Sequence, residues 1–161
     1  MIYSGRLLHR QKFAYGRLIT GLGEFFFQPN GVLAWNHQWV FLSTTQQYVN
    51  QSLKAQYATQ SGRMLVINHQ FNSRFLADNS SYKIRNGIGL KDQVLYFVIS
   101  NTPVTFHQFA TFFKDELKTS NALYLDGLIS TAYIPQLQRH TRIHRNLGPI
   151  LAYIDDQGCK L

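Results

Sequence analysis

The sequence predicts an α+β domain, a mixed β-sheet core with few helices. Three observations predict it. Short apolar runs alternate with turn signals up to about residue 100, as strands require. One of them, Gln93 to Ser100 (QVLYFVIS), is almost continuously apolar, which suits a strand covered on both faces. One amphipathic helix is clearly marked over 106–118. The 161 residues suit a single domain with a real core, leaving 1–20 and 155–161 at its periphery.

The elements follow in order. Phe25-Phe26-Phe27 runs into Pro29-Asn30-Gly31, a turn. Val32 to Trp35 and Trp39 to Leu42 flank Asn36-His37-Gln38, which reads as a hairpin loop. The polar stretch from Ser43 to Ala58 has room for one short helix. Gly62 precedes a strand, Met64 to Ile67, and Asn68-His69-Gln70 is a second turn. Residues 72–81 read as a surface loop. Lys83 to Leu90 and Gln93 to Ser100 pair across Lys91-Asp92, the second of them at the centre of the sheet. Phe106, Phe109, Ala110, Phe113 and Leu117 then fall on one helical face. Thr105 is the N-cap, Gln108 completes a capping box, and Pro103 blocks an earlier start. The succession 93–100, 106–118, 122–126 reads as a right-handed crossover between parallel strands. Pro149 to Ile154 is the last strand.

Composition bounds the chemistry. Hydrophobic residues make up 45% of the chain and charged residues 15%. The net charge of +8 favours anionic partners. The one basic cluster, Arg139 to Arg145, is either a solvated loop or an anion-binding edge. Nucleic-acid binding ranks last, because no recognised motif accompanies the charge. Cys159 is the single cysteine, so no intrachain disulfide forms. No zinc-ligand spacing occurs, and neither a metal nor a cofactor is expected. The apolar runs fall short of a membrane span, and Met1 to Arg6 does not open a signal peptide.

Two places could carry chemistry. In ALYLDGLISTAY an apolar run ends at Asp126, with Gly127 next and Ser130 four residues on. If 122–126 is a strand of a crossover, Asp126 stands on the rim where ligands bind, and Ser100-Asn101 stands there too. Gly127 permits a sharp turn or a close approach by a ligand. The plainer reading is an ordinary Asp-Gly turn. In KIRNGIGL, strand alternation puts Asn86, Ile88 and Leu90 on one face and Arg85, Gly87 and Gly89 on the other. The glycines leave room for something to lie against Arg85, a natural bidentate partner of phosphate. The alternative is that Asn86-Gly87 is the hairpin turn and Arg85 is exposed. Gln60-Ser61-Gly62 is a weak signal. His107 reads as a first-turn helix residue. Trp35 and Trp39 read as hairpin packing or as sugar-stacking rings. No Gly-rich phosphate loop is present.

Taken together, five segments resemble the phosphodiester glycosidase family, which includes the lysosomal uncovering enzyme and bacterial proteins described as exopolysaccharide-biosynthesis proteins. They are Pro29 to Val32, Ala58 to Gly62 before Met-Leu-Val-Ile, Lys83 to Gly89, Ile99 to Val104, and Asn121 to Gly127 with Ser130. The ordered set, from about residue 21 to 154, is more specific than any one motif. The resemblance implies hydrolysis of a sugar–phosphate glycosidic bond, with a sugar phosphate or anionic glycan as the substrate. It implies Arg85 as the phosphate ligand and Asp126 as an acid, a base or a sugar-hydroxyl anchor. It puts Gly127 and Ser130 in the same pocket, with Gln60, Gly62, Asn86 and Asn101 completing it. Three departures stand out. The family's usual N-terminal strand motif and export signal are not in this chain, which implies a shortened protein, or a binding module that has lost turnover. Arg63 stands where the family usually has proline. Leu128 stands where it usually has a second glycine.

Overall fold

The computed structural model describes residues 2–5, 29–73, 80–127, 130–140 and 151–153. A six-stranded sheet has the order β1-β8-β7-β9-β5-β6. Its strands are β1 (Ile2–Gly5), β5 (Met64–Ile67), β6 (Gln70–Phe71), β7 (Asn86–Lys91), β8 (Val94–Ile99) and β9 (Asn121–Asp126). A three-stranded sheet has the order β3-β2-β4, from β2 (Gly31–Trp35), β3 (Val40–Thr44) and β4 (Tyr57–Ser61). A short helix α1 (Thr45–Asn50) follows β3, and α2 (Phe106–Thr111) links β8 to β9. A two-stranded ribbon pairs β10 (Tyr133–Ile134) with β11 (Arg139–His140).

These elements stack in three layers. Leu33, Trp35, Val40 and Leu42 of the small sheet pack on Met64, Ile88, Leu90, Leu95 and Leu123 of the large one. On its other face, Leu65, Val66, Val98 and Ala122 meet Phe106, Phe109, Ala110 and Phe113 of the helix. Burying both faces explains why β8 reads as a continuous apolar run. Leu95 and Phe97 serve one layer, Tyr96 and Val98 the other.

The expected hairpin is present: β2 pairs antiparallel with β3 around Asn36, whose side chain accepts from the backbone N–H groups of Gln38 and Trp39. Trp35 is a core residue tilted against Tyr57, so it packs the hairpin. The expected helix within 43–58 is α1, capped by Thr44 and Gln47. The segment Gln60-Ser61, read as leading into a strand, ends β4 itself. Thr105 and Gln108 form the predicted capping box of α2. After Thr111 the helix widens into a π turn, Phe112–Glu116, with Leu117 N–H donating to Phe112 O at 3.1 Å.

Four expectations are corrected. The β7–β8 hairpin begins at Asn86 rather than Lys83, and turns at Asp92-Gln93, both with positive φ. The sheet's centre is β7 beside β9, not β8, which lies one strand from the edge. The crossover strands β8 and β9 do run the same way, but β7 lies between them and is antiparallel to both. Every ladder among the described residues is antiparallel, so the mixed direction belongs to the crossover and not to any neighbouring pair. Leu151, Ala152 and Tyr153 are not in a strand, although Leu151 packs against the core. Ile2–Gly5 supply the edge strand β1, antiparallel to β8. The expected strand at 25–27, most of the 72–81 loop, residues 141–145 and Cys159 lie outside the described residues.

Candidate active site

One end of the large sheet collects the candidate residues. Asn86 opens β7 and pairs with Ile99, the last residue of β8, and with Asp126, the last of β9. A register shift beside Asn86 splays the ladder there. The rim inferred from a crossover is therefore real, with β7 as its middle strand.

Arg85 immediately precedes that rim. Its backbone N–H donates to Ser100 Oγ at 2.9 Å, and its carbonyl accepts from Ser100 N at 2.9 Å. The side chain has 0% exposure. Nε donates to Val104 O at 2.9 Å and Nη2 to Ser81 O at 2.6 Å. The guanidinium lies over Phe106, its Cζ 3.6 Å from the ring centroid, and Tyr124 flanks it at 5.6 Å. A buried cation is costly unless hydrogen bonds and ring faces replace its water, and both are supplied here. The exposed-turn alternative for Arg85 is thus excluded by the ladder and by the burial.

The glycines beside Arg85 have a different task from the one expected. A Cβ at Gly87 falls 2.8 Å from Leu123 O and 3.1 Å from Phe109. One at Gly89 falls 2.6 Å from the Phe113 ring and 2.7 Å from Thr119. The room they leave is filled by α2 and the turn after it, not by a ligand.

Gly127 is the glycine that faces the site. A Cβ there collides with the Tyr124 hydroxyl and lies 3.6 Å from Arg85 Nη1. Asp126 Oδ1 accepts from Gly127 N at 2.7 Å, which fixes the carboxylate at the turn. Ser130 Oγ donates to Asp126 O at 2.9 Å or to Ile84 O at 3.0 Å, joining the turn to the segment before β7. Gly62 stands between Ser61 and Arg63, both bonded to β9. Ser61 Oγ donates to Tyr124 O at 3.0 Å, and Tyr124 N donates to Arg63 O at 3.0 Å. The side chains of Gln60 and Asn101 go elsewhere: Gln60 Nε2 donates to Thr45 Oγ1, and Asn101 Oδ1 accepts from Arg139 Nη1. Asn86 Oδ1 is buried and accepts no hydrogen bond. Alternation along β7 puts the Asn86 side chain on the opposite face from Arg85, so the rim is furnished from both faces of the sheet.

The strand ends that build this rim carry the segments quoted above for the resemblance. A family model described as phosphodiester glycosidase matches residues 1–152. The chain belongs to the phosphodiester glycosidase family. YigE, an uncharacterized protein of Escherichia coli (strain K12), is 36% identical over 118 residues, covering 73% of this chain and 46% of its own length. This chain therefore spans a little under half of that relative. The solved catalytic domain of zebrafish N-acetylglucosamine-1-phosphodiester alpha-N-acetylglucosaminidase, auto-inhibited by its pro-peptide, aligns with a TM-score of 0.45 at 14% identity, covering 62% of this chain and 40% of that one. No helix among the described residues is long and apolar enough to cross a membrane.

Three contributors escaped the sequence reading. Phe106 reads as a core position of α2, yet its ring carries Arg85. Tyr124 reads as one more strand apolar residue, yet its hydroxyl faces Gly127. Arg63 registers only as a departure from the family pattern, yet its Cζ lies 4.6 Å from the same Phe106 ring. The strand period marks which face each side chain takes, but not which ring it meets.

Proposed function

We propose that this phosphodiester glycosidase family member is a hydrolase that cleaves a sugar–phosphate glycosidic bond, acting on a sugar phosphate or anionic glycan of surface polysaccharide metabolism. The observation that carries the reading is that one sheet end holds a buried guanidinium, a carboxylate and, on the other face, a buried amide oxygen with no hydrogen bond. Arg85 supplies fixed positive charge for the phosphate. Asn86 Oδ1 accepts a sugar hydroxyl, which gives that orphaned acceptor its partner. Asp126 supplies the carboxylate, and Gly127 keeps the space between Tyr124 and Arg85 clear. Water adds to the anomeric carbon as the bond to the phosphate oxygen breaks. The phosphate departs with the electron pair and needs little help from a general acid.

The test is a panel of nitrophenyl and nucleotide-linked sugar phosphodiesters with the purified chain, Arg85→Ala and Asp126→Asn. The wild type is expected to release sugar and a phosphomonoester, with both variants at least ~100-fold slower. A carboxylate that moves a proton lowers kcat when it becomes an amide; one that anchors a hydroxyl raises KM. Full hydrolysis by Asp126→Asn removes that carboxylate from the reaction. A folded wild type that hydrolyses nothing removes the enzymatic reading.

A further inference from the structure

The residues that lead into β7 run as an extended segment held from both sides. Lys83 exchanges both backbone hydrogen bonds with Val104, at 3.2 and 2.9 Å, in an isolated antiparallel bridge. Arg85 turns to the same side, its N–H to Ser100 Oγ and its carbonyl to Ser100 N. Ile84 turns to the opposite side, where its carbonyl accepts from Ser130 Oγ at 3.0 Å. Backbone groups that point to one side and then the other are those of an extended strand. The side chains then alternate too, so Tyr82, Ile84 and Asn86 share one face and Lys83 and Arg85 the other.

The face of Tyr82, Ile84 and Asn86 runs from open to closed. Tyr82 is 60% exposed, Ile84 is half-buried, and the Asn86 amide oxygen is buried without a hydrogen bond. Among the described residues Tyr82 makes no hydrogen bond and no ring contact. Its backbone is nonetheless fixed. Ser81 O, just before it, accepts from Arg85 Nη2, and Lys83, just after it, is in the bridge. A ring on a fixed support loses little conformational freedom when something stacks on it. A single exposed apolar side chain means little on an ordinary surface. This one stands on the same face as an acceptor that lacks a partner, four residues along, which is about 13 Å of extended chain.

We propose that Tyr82 is a sugar-stacking platform of the candidate site, which takes the C–H face of a second or third sugar ring while Asn86 Oδ1 accepts a hydroxyl of the first. The ligand is then an oligosaccharide phosphodiester rather than the phosphodiester of a single sugar. This rests on the reading of the site as one for a sugar phosphodiester. One pyranose ring is too short to touch both residues; two or three in a row span the distance. The C–H groups on one face of a pyranose form an apolar surface that packs on an aromatic ring, while the tyrosine hydroxyl stays in water. The added sugars lie on the side of the sugar held by Asn86, not on the alcohol side of the phosphate.

Calorimetry tests this without turnover. The probes are phenyl esters of glycosylmethylphosphonic acids, in which a CH2 group replaces the glycosidic oxygen. They carry one negative charge and are not hydrolysed at that bond. Probes with one, two and three sugars, in glucose, N-acetylglucosamine, galactose and mannose series, are titrated into the full chain and into Tyr82→Ala, Tyr82→Trp and Lys83→Ala. Both residues are exposed, so the variants are expected to keep the wild-type melting curve. In at least one series the wild type is expected to bind the three-sugar probe at least ~10-fold tighter than the one-sugar probe, about 1.4 kcal/mol. Tyr82→Ala brings that ratio to within ~2-fold, and Tyr82→Trp keeps it. Lys83→Ala, on the opposite face, leaves it unaltered. Bound to the wild type, the outer sugar's C–H protons shift upfield in NMR spectra, the signature of a ring face; with Tyr82→Ala they do not. No gain from added sugars in any series, or a gain that survives Tyr82→Ala, overturns the proposal. So does a gain only from sugars attached on the alcohol side of the phosphonate. Hydrolysis of the matching phosphodiesters is scored separately. A length preference that depends on Tyr82 in a chain that hydrolyses nothing leaves the platform standing and removes the hydrolase reading. Hydrolysis with one KM for all three lengths, in wild type and Tyr82→Ala alike, does the opposite.

Discussion

Asp126 is engaged by its own turn before it meets any ligand. Its Oδ1 takes the Gly127 N–H, and its carbonyl accepts from Ser130. The plain turn reading and the functional one are therefore compatible: the turn is the device that orients the carboxylate. Gly127 matters here for space. The Tyr124 hydroxyl occupies the position that a Cβ would take. Gly127→Ala is expected to displace the tyrosine and to slow turnover at least ~10-fold, a barrier increase of about 1.4 kcal/mol. Adding Tyr124→Phe removes the atom in collision and should recover part of the loss. Steady-state kinetics of the two variants decide this, and a double variant no better than Gly127→Ala would refute the collision as the cause. Ser130→Ala, which strips a hydroxyl tying the turn to Ile84, should cost about 1 kcal/mol in a denaturant titration.

At the scale of elements, β7 depends on its close contact with the helix. Phe113 and Thr119 stand where a Gly89 side chain would go. Gly89→Ala pushes the π turn away from the sheet and is expected to cost about 1–3 kcal/mol, read from urea midpoints. Because α2 carries Phe106, and Phe106 carries Arg85, the same change should weaken phosphate binding without touching the site. Thr105→Ala removes one side of the capping box and should cost about 1 kcal/mol with a smaller effect on binding. A Gly89→Ala chain that is destabilised but binds phenyl phosphate normally would separate the helix from the site.

At the scale of the molecule, a net charge of +8 surrounds a site read as taking an anion. Association with an anionic substrate should weaken as salt is added, because long-range attraction is screened. KM for a sugar phosphodiester is expected to rise several-fold between low and high salt. The melting temperature should move little to the extent that ion pairs such as Lys114 with Asp115 join partly exposed neighbours. A KM indifferent to salt would leave the overall charge without a part in recognition.

Particular residues show how far the sequence alone reaches. The apolar run of β8, the hairpin about Asn36 and the capping box at Thr105 are written locally, because each depends on neighbours within a few positions. The rim at Asp126 was legible for the same reason: strand ends are marked by where apolar runs stop. The glycines of β7 were legible as room, but not as room for a helix. Only the tertiary structure put β7 between β8 and β9, set Phe106 over Arg85 and brought Arg63 to the same ring. Those three facts depend on contacts between segments 21 to 43 residues apart. Local periodicity fixes which face a side chain takes, while the partner on that face is decided by how the layers pack.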